Sequence, residues 1–141
     1  MQRVLRASVS VDGRTVSEIG SGLLVLLGVA TSDTAAEAEW LAAKIMALRV
    51  FADADGRMNE PLGERAVLCV SQFTLYGDVR RGNRPSYTAA AGAAHAQPLY
   101  EYFCELTGAA RGVFGADMQV ELINDGPVTL WLESPDRSEP R

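Results

Sequence analysis

One histidine, His95, and two cysteines, Cys69 and Cys104, are all that the 141 residues offer as soft metal ligands or as a strong neutral base. The cysteine spacing matches no metal motif, and one histidine is too few to complete a zinc site, so a metal cofactor is not expected. Both cysteines sit in apolar runs and read as buried free thiols of a reducing compartment. His95 stands in an alanine-rich stretch with no evident partner, as a helix-surface histidine would, which argues against a histidine-based triad. Long apolar runs are missing too. The longest, Gly22 to Ala30, is far too short to span a bilayer, and Arg3 and Arg6 interrupt any leader-like block, so no membrane role and a cytoplasmic location are expected. A basic surplus is also lacking. The net charge of −5 speaks against a protein that coats nucleic acid, while leaving room for a small local basic site.

What remains is ordinary globular material, 48% hydrophobic and 22% charged, enough for one domain with a real core. Alternation through Ala7, Val9 and Val11, the Asp12-Gly13 turn and a return strand over Thr15 to Ile19 predict an opening hairpin. Leu23 to Val29 reads as a strand buried on both faces. Thr34 and Glu37 have capping-box spacing before a helix reaching about Leu48, with Leu41, Ile45 and Leu48 on one face and Trp40 packing beside it. A short strand at Arg49 to Phe51 runs into the Asp53-Ala54-Asp55-Gly56 turn, which lacks calcium-loop spacing. Ala66 to Phe73 is a further apolar strand. A second helix is predicted through Leu99, Tyr102, Phe103 and Leu106, with Pro98 in its first turn. Gly108 and Gly112 precede two last strands, and residues 136–141 form a polar tail after a single domain over 1–135. The expected fold class is α+β, a mixed and mostly antiparallel sheet curled toward a barrel with two main helices.

Three stretches carry candidate chemistry. Asn124-Asp125-Gly126-Pro127-Val128-Thr129 lies between strand-like runs, and Pro127 cannot donate to a ladder, so a tight hairpin turn is expected there. Ser71-Gln72-Phe73-Thr74 places hydroxyls, an amide and backbone N–H groups at a strand end. That equipment suits an oxyanion or carbonyl, and equally a strand end that satisfies its own backbone. Arg80, Arg81 and Arg84 share a loop with Gly77, Gly82 and Pro85, where they form either a phosphate contact or a solvated surface. Asp78 is placed to pair with one of these arginines, and Tyr87 to anchor the loop.

Ser71-Gln72-Phe73-Thr74-Leu75 together with Asn124-Asp125-Gly126-Pro127-Val128-Thr129 resembles the motif pair of the D-aminoacyl-tRNA deacylases. Supporting matches extend over nearly the whole chain, among them Gln2-Arg3-Val4, Gly22 to Val29, Arg84-Pro85-Ser86-Tyr87 and Phe114 to Val120. The resemblance implies a cytoplasmic homodimer with its active site at the subunit interface. It implies a carboxylic ester hydrolase without cofactor that frees D-amino acids from tRNA, and glycine mischarged on tRNA for alanine. It further implies that the Gly126-Pro127 bond is cis and reaches into the partner's site, rejecting L-amino acids there. Ser71, Gln72 and Phe73 would bind the aminoacyl-adenosine end and Thr74 would line the pocket. Backbone N–H groups and the RNA 2′-OH would do the chemistry, with Arg3, Asn124 and Thr129 supporting the loop. Apart from the resemblance, the loop arginines Arg80, Arg81 and Arg84 are the residues expected to contact tRNA phosphates.

The chain departs from the family pattern in a late start, which predicts a shortened first strand, in Val113 and in Glu60-Pro61. A sister branch acting on L-alanine mischarged on tRNA for threonine has a different first motif. Two other readings are a non-catalytic protein that binds RNA ends, and an amidohydrolase with Ser71 or Thr74 as nucleophile.

Overall fold

A computed structural model describes residues 1–135; the expected polar tail at 136–141 lies outside the described residues. The strands are β1 (Gln2–Val11), β2 (Arg14–Ile19), β3 (Gly22–Leu27), β4 (Phe51–Ala52), β5 (Met58–Glu60), β6 (Ala66–Ser71), β7 (Ala110–Arg111) and β8 (Gln119–Thr129). The helices are α1 (Ala35–Ala47) and α2 (Ala93–Thr107), and a 3-10 turn covers Phe73–Tyr76.

The main sheet runs β2-β1-β3-β6-β7, with β8 paired to β1; β4 and β5 form a small ribbon. The pairings β3–β6 and β6–β7 are parallel and the others antiparallel. Ser17 Oγ on β2 donates to the Arg111 carbonyl on β7 at 2.5 Å, fastening one end of the strand order to the other. The sheet therefore nearly closes into a barrel.

The apolar runs of β3 and β6 follow from burial on both faces. Leu23, Val25 and Leu27 alternate with Leu24, and Val67 and Cys69 alternate with Leu68 and Val70. The first set packs against Ala42 and Ile45 of α1 and Tyr100, Phe103 and Cys104 of α2. The second packs inside the curl with Val4, Ala7, Val9 and Ile19. Each fully buried Leu or Val contributes roughly 1.5–3 kcal/mol.

Helix α1 has the predicted capping box: Ala36 N–H donates to Thr34 Oγ1 (3.3 Å), and Thr34 N–H donates to Glu37 Oε2 (2.6 Å). Gly108 ends α2 in the left-handed region at φ 65°, where a side chain would be strained.

Several expectations are corrected. Strand β1 spans 10 residues, so the late start does not shorten it. Helix α2 begins at Ala93, well before Pro98. The Gly92 carbonyl accepts from His95 N (3.0 Å) and Ala96 N (2.8 Å), and alanine is the strongest helix former. Pro98 thus sits inside the helix, where its missing N–H removes the usual i−4 donor to the Ala94 carbonyl, at an exposed residue open to solvent. Trp40 is only half-buried and carries Lys44 Nζ 5.3 Å above its ring instead of joining the core.

The largest correction concerns Asn124 to Thr129. Both flanks of this stretch belong to β8 and pair with the same strand: Val4 is opposite Asn124 and Gln2 opposite Thr129. The chain does not reverse as a hairpin would. Residues 125–128 bulge out of one strand and rejoin it, because Asn124 closes the excursion at its base. Val128 N–H donates to Asn124 Oδ1 (2.8 Å), and Asn124 Nδ2 donates to Thr129 Oγ1 (2.9 Å).

Candidate functional site

The parallel strands β3 and β6 end level with each other, Leu27 opposite Ser71. Gln72 N–H continues the ladder to the Leu27 carbonyl (2.8 Å), and the chain then tightens into the 3-10 turn. Leu75 N–H bonds back to the Gln72 carbonyl (3.3 Å), and the Gln72 amide donates to Thr74 Oγ1. The amides of Phe73 and Thr74 open this turn, where the first N–H groups have no in-helix partner. Gly28 lets the turn lie close, since a Cβ there would come within 3.0 Å of the Tyr76 ring.

Ser71, Gln72 and Phe73 form one wall of a cavity of about 520 Å³. Ala93 and Ala96 of α2 form a second wall, and the segment from Phe114 to Met118 a third. Sequence reasoning assigned none of these other walls a role. The signal was present in the matching run Phe114 to Val120, but small and apolar residues advertise no chemistry. Asp117 brings an exposed carboxylate to the rim. A larger hollow, about 970 Å³, lies between α1, β3 and residues 129–135, and of the motif residues it touches Leu75 and Thr129.

Phe73 is 54% exposed, and its ring meets Tyr87 edge-on at 5.0 Å. Tyr87 also packs on the Gly77 backbone, where a Cβ would stand 3.1 Å from its ring. Asp78 and Ser86 exchange backbone bonds of 2.7 and 2.9 Å, which closes the arginine loop at its base. Within it Asp78 grips Arg80 through Nε (2.9 Å) and Nη2 (2.7 Å) and accepts from the Arg80 amide (3.0 Å). These bonds bring the Asp78 carboxyl down to about 2. Arg81 and Arg84 are exposed on the same loop.

At Gly126-Pro127 the peptide bond is cis. Gly126 has φ 135°, and a Cβ there would stand 2.9 Å from Val128 Cγ2 and 3.1 Å from Arg3 Nη2. Arg3 holds the excursion from below. Its Nε donates to the Asp125 carbonyl (2.9 Å) and its Nη1 to the Val50 carbonyl (2.6 Å), while the Asp125 carboxylate lies 3.6 Å from Nε. Sequence reading placed Arg3 at this loop but had no means of finding Val50, which comes from the far end of the α1 connection.

The structure does not unite the two motifs within one chain. Through the ladders, Arg3 is opposite Leu23 and Leu23 opposite Val67, so the excursion stands level with Val67. From Val67 to Ser71 is a further 13 Å or about that along the strand, and crossing from β8 to β6 adds roughly 14 Å of strand spacing.

His95 is not poised as a base for Ser71. Its Nε2 donates to the Asp33 carbonyl (2.6 Å), tying the start of α2 to the loop before α1. Cys69 and Cys104 are both free and buried, and burial pushes the Cys69 thiol well above its ordinary value. No cluster of His, Cys, Asp or Glu able to hold a metal ion occurs among the described residues, and none of their helices is long and apolar enough to cross a membrane.

The chain thus carries two separate main-chain features, a strand-end turn with open amides beside a cavity and a glycine-proline excursion held by an arginine. Comparison with known proteins gives the chain a family. The model of the family described as D-Tyr-tRNA(Tyr) deacylase matches residues 1–133. The D-aminoacyl-tRNA deacylase of Myxococcus xanthus is 53% identical over 148 aligned positions, covering 100% of this chain and 97% of the relative. That of Opitutus terrae is 54% identical and covers 97% of each chain. Among solved structures, a c-Myc DNA unwinding element binding protein superposes with a TM-score of 0.90 at 43% identity, covering 96% of this chain and 97% of the other. A probable eukaryotic D-amino acid tRNA deacylase, 16% identical with a TM-score of 0.76 over 89% of this chain and 92% of the other, shares the fold. The chain belongs to the D-aminoacyl-tRNA deacylase family.

Proposed function

We propose that this protein hydrolyses the ester between a D-amino acid and the 3′-terminal adenosine of tRNA, and likewise removes glycine mischarged on tRNA for alanine. The observation that carries the reading is the Ser71–Phe73 wall of the 520 Å³ cavity, where the Phe73 and Thr74 amides open the 3-10 turn. Such amides suit the oxyanion formed when water attacks an ester carbonyl, and one donor of this kind is worth about 10²–10³ in rate. The bond to the ribose oxygen then breaks, and free amino acid and tRNA leave. As the family resemblance implies, the adenosine 2′-OH activates the water, and His95, engaged with Asp33, takes no part.

Chirality is read by Gly126-Pro127. Its separation from Ser71 within one chain supports a homodimer in which the excursion of one subunit closes the site of the other. A D-amino acid turns its side chain away from that backbone, an L-amino acid turns it into it, and glycine has none to collide. Rejection by a steric barrier needs no selective attraction. Binding to duplex DNA, suggested by the name of the 43% identical structure, finds no support in a net charge of −5.

Incubation with D-tyrosyl-tRNA and its L counterpart tests the proposal. D-tyrosine is expected to be released while the L ester survives; absence of D-tyrosine release ends the enzyme reading. Ser71→Ala and Thr74→Ala are each expected to keep most of the rate. Loss of activity to background in either would establish a side-chain nucleophile instead.

A further inference from the structure

The arginine loop is left over once the aminoacyl end has been placed. Its base is rigid and attached to the site: Asp78 and Ser86 bond each other, and Tyr87 packs on both Gly77 and Phe73. Its three guanidinium groups are not equivalent. Arg80 is spent on Asp78 in the same loop. Arg81 and Arg84 are exposed, and no acidic partner reaches them among the described residues. On a body of net charge −5, two uncompensated cations on an anchored loop mark where a polyanion can land.

The loop also has a fixed place beside the site: Arg84 stands three residues before Tyr87, whose ring meets that of Phe73 at 5.0 Å. We infer that Arg81 and Arg84 bind the phosphates of the unpaired 3′ end of tRNA, just before the terminal adenosine, and that Arg80 does not. This inference rests on the deacylase reading and names how that site holds the rest of its substrate.

Steady-state kinetics on D-tyrosyl-tRNA, on a D-tyrosylated single-stranded oligonucleotide ending in CCA, and on D-tyrosyl-adenosine test it. The double variant Arg81→Ala/Arg84→Ala is expected to raise KM roughly tenfold for both RNA substrates with kcat kept. It should also flatten the plot of log KM against log salt by about 1.4, at about 0.7 per single-strand phosphate. Hydrolysis of D-tyrosyl-adenosine, which has no phosphate, should not change, and Arg80→Ala should leave KM for tRNA within about twofold of wild type. An unchanged KM and salt slope in the double variant overturns the inference. A rise confined to full tRNA overturns it in favour of the double-helical stem, and an equal loss on D-tyrosyl-adenosine assigns the loop a purely structural part. If the wild-type protein hydrolyses none of the three substrates, the deacylase reading itself has failed.

Discussion

Arg3→Ala is expected to lower kcat/KM for D-aminoacyl-tRNA by about 100-fold, a size reached when a group at a reacting centre is misplaced by about 1 Å. The Arg3 side chain is only 13% exposed and ties two carbonyls that nothing else brings together, Asp125 of the excursion and Val50 of the α1 connection. Truncation leaves both acceptors without their donor, at about 1–3 kcal/mol for each that stays buried. It also frees the excursion to relax toward the space its guanidinium filled beside Gly126. Arg3→Lys should rescue little, because a single ammonium cannot reproduce a planar fork that spans two carbonyls. Urea unfolding of the same variants separates the two effects. A variant that is less stable yet hydrolyses folded-state substrate at the wild-type rate would remove Arg3 from the gate and leave it a structural residue.

Gly22→Ala should have the largest effect on stability, roughly 3–5 kcal/mol. A Cβ at this position would lie 1.8 Å from the Ala66 carbonyl oxygen and 2.8 Å from its carbon. Both belong to backbone at the start of β6, so no side chain can swing aside. Gly22 opens β3 and pairs with Ala66 on one side and Val4 on the other, so any shift is felt in three strands at once. The measurement is a thermal or urea midpoint. Gly13→Ala serves as a comparison, since a Cβ there meets nothing within 4 Å and only the cost of φ 77° remains. Equal midpoints for the two variants would contradict the close approach of β3 and β6.

The parts legible in the sequence were those fixed by local chemistry. The run Leu23 to Leu27 announced a strand buried on both faces, and Thr34 and Glu37 a helix start, because each signal sits within a few residues of what it causes. The illegible parts depend on partners far along the chain. A strand, a glycine-proline step and a second strand read the same whether the flanks pair with each other or with a third strand. Only the pairing of Gln2 and Val4 with Thr129 and Asn124 decides between them, and it joins residues 120 or more positions apart. Helix α2 was misplaced for a local reason: Pro98 suggested a first turn, whereas the alanines before it had already built one. The arginine loop was half legible. Its charge and the pairing of Asp78 with one arginine were visible, but that the partner is Arg80 came only from the geometry of a bend.

The pairing of both flanks of β8 with β1 makes the excursion a replaceable part. Registry is set outside it, by Asn124 opposite Val4 and Thr129 opposite Gln2, and its base is closed by the Asn124 side chain. The register of β8 on β1 therefore does not depend on what lies between those anchors, although Arg3 of β1 still holds the Asp125 carbonyl. Residues 125–128 can be rewritten with the register of β8 on β1, and so the barrel that presents them, unchanged.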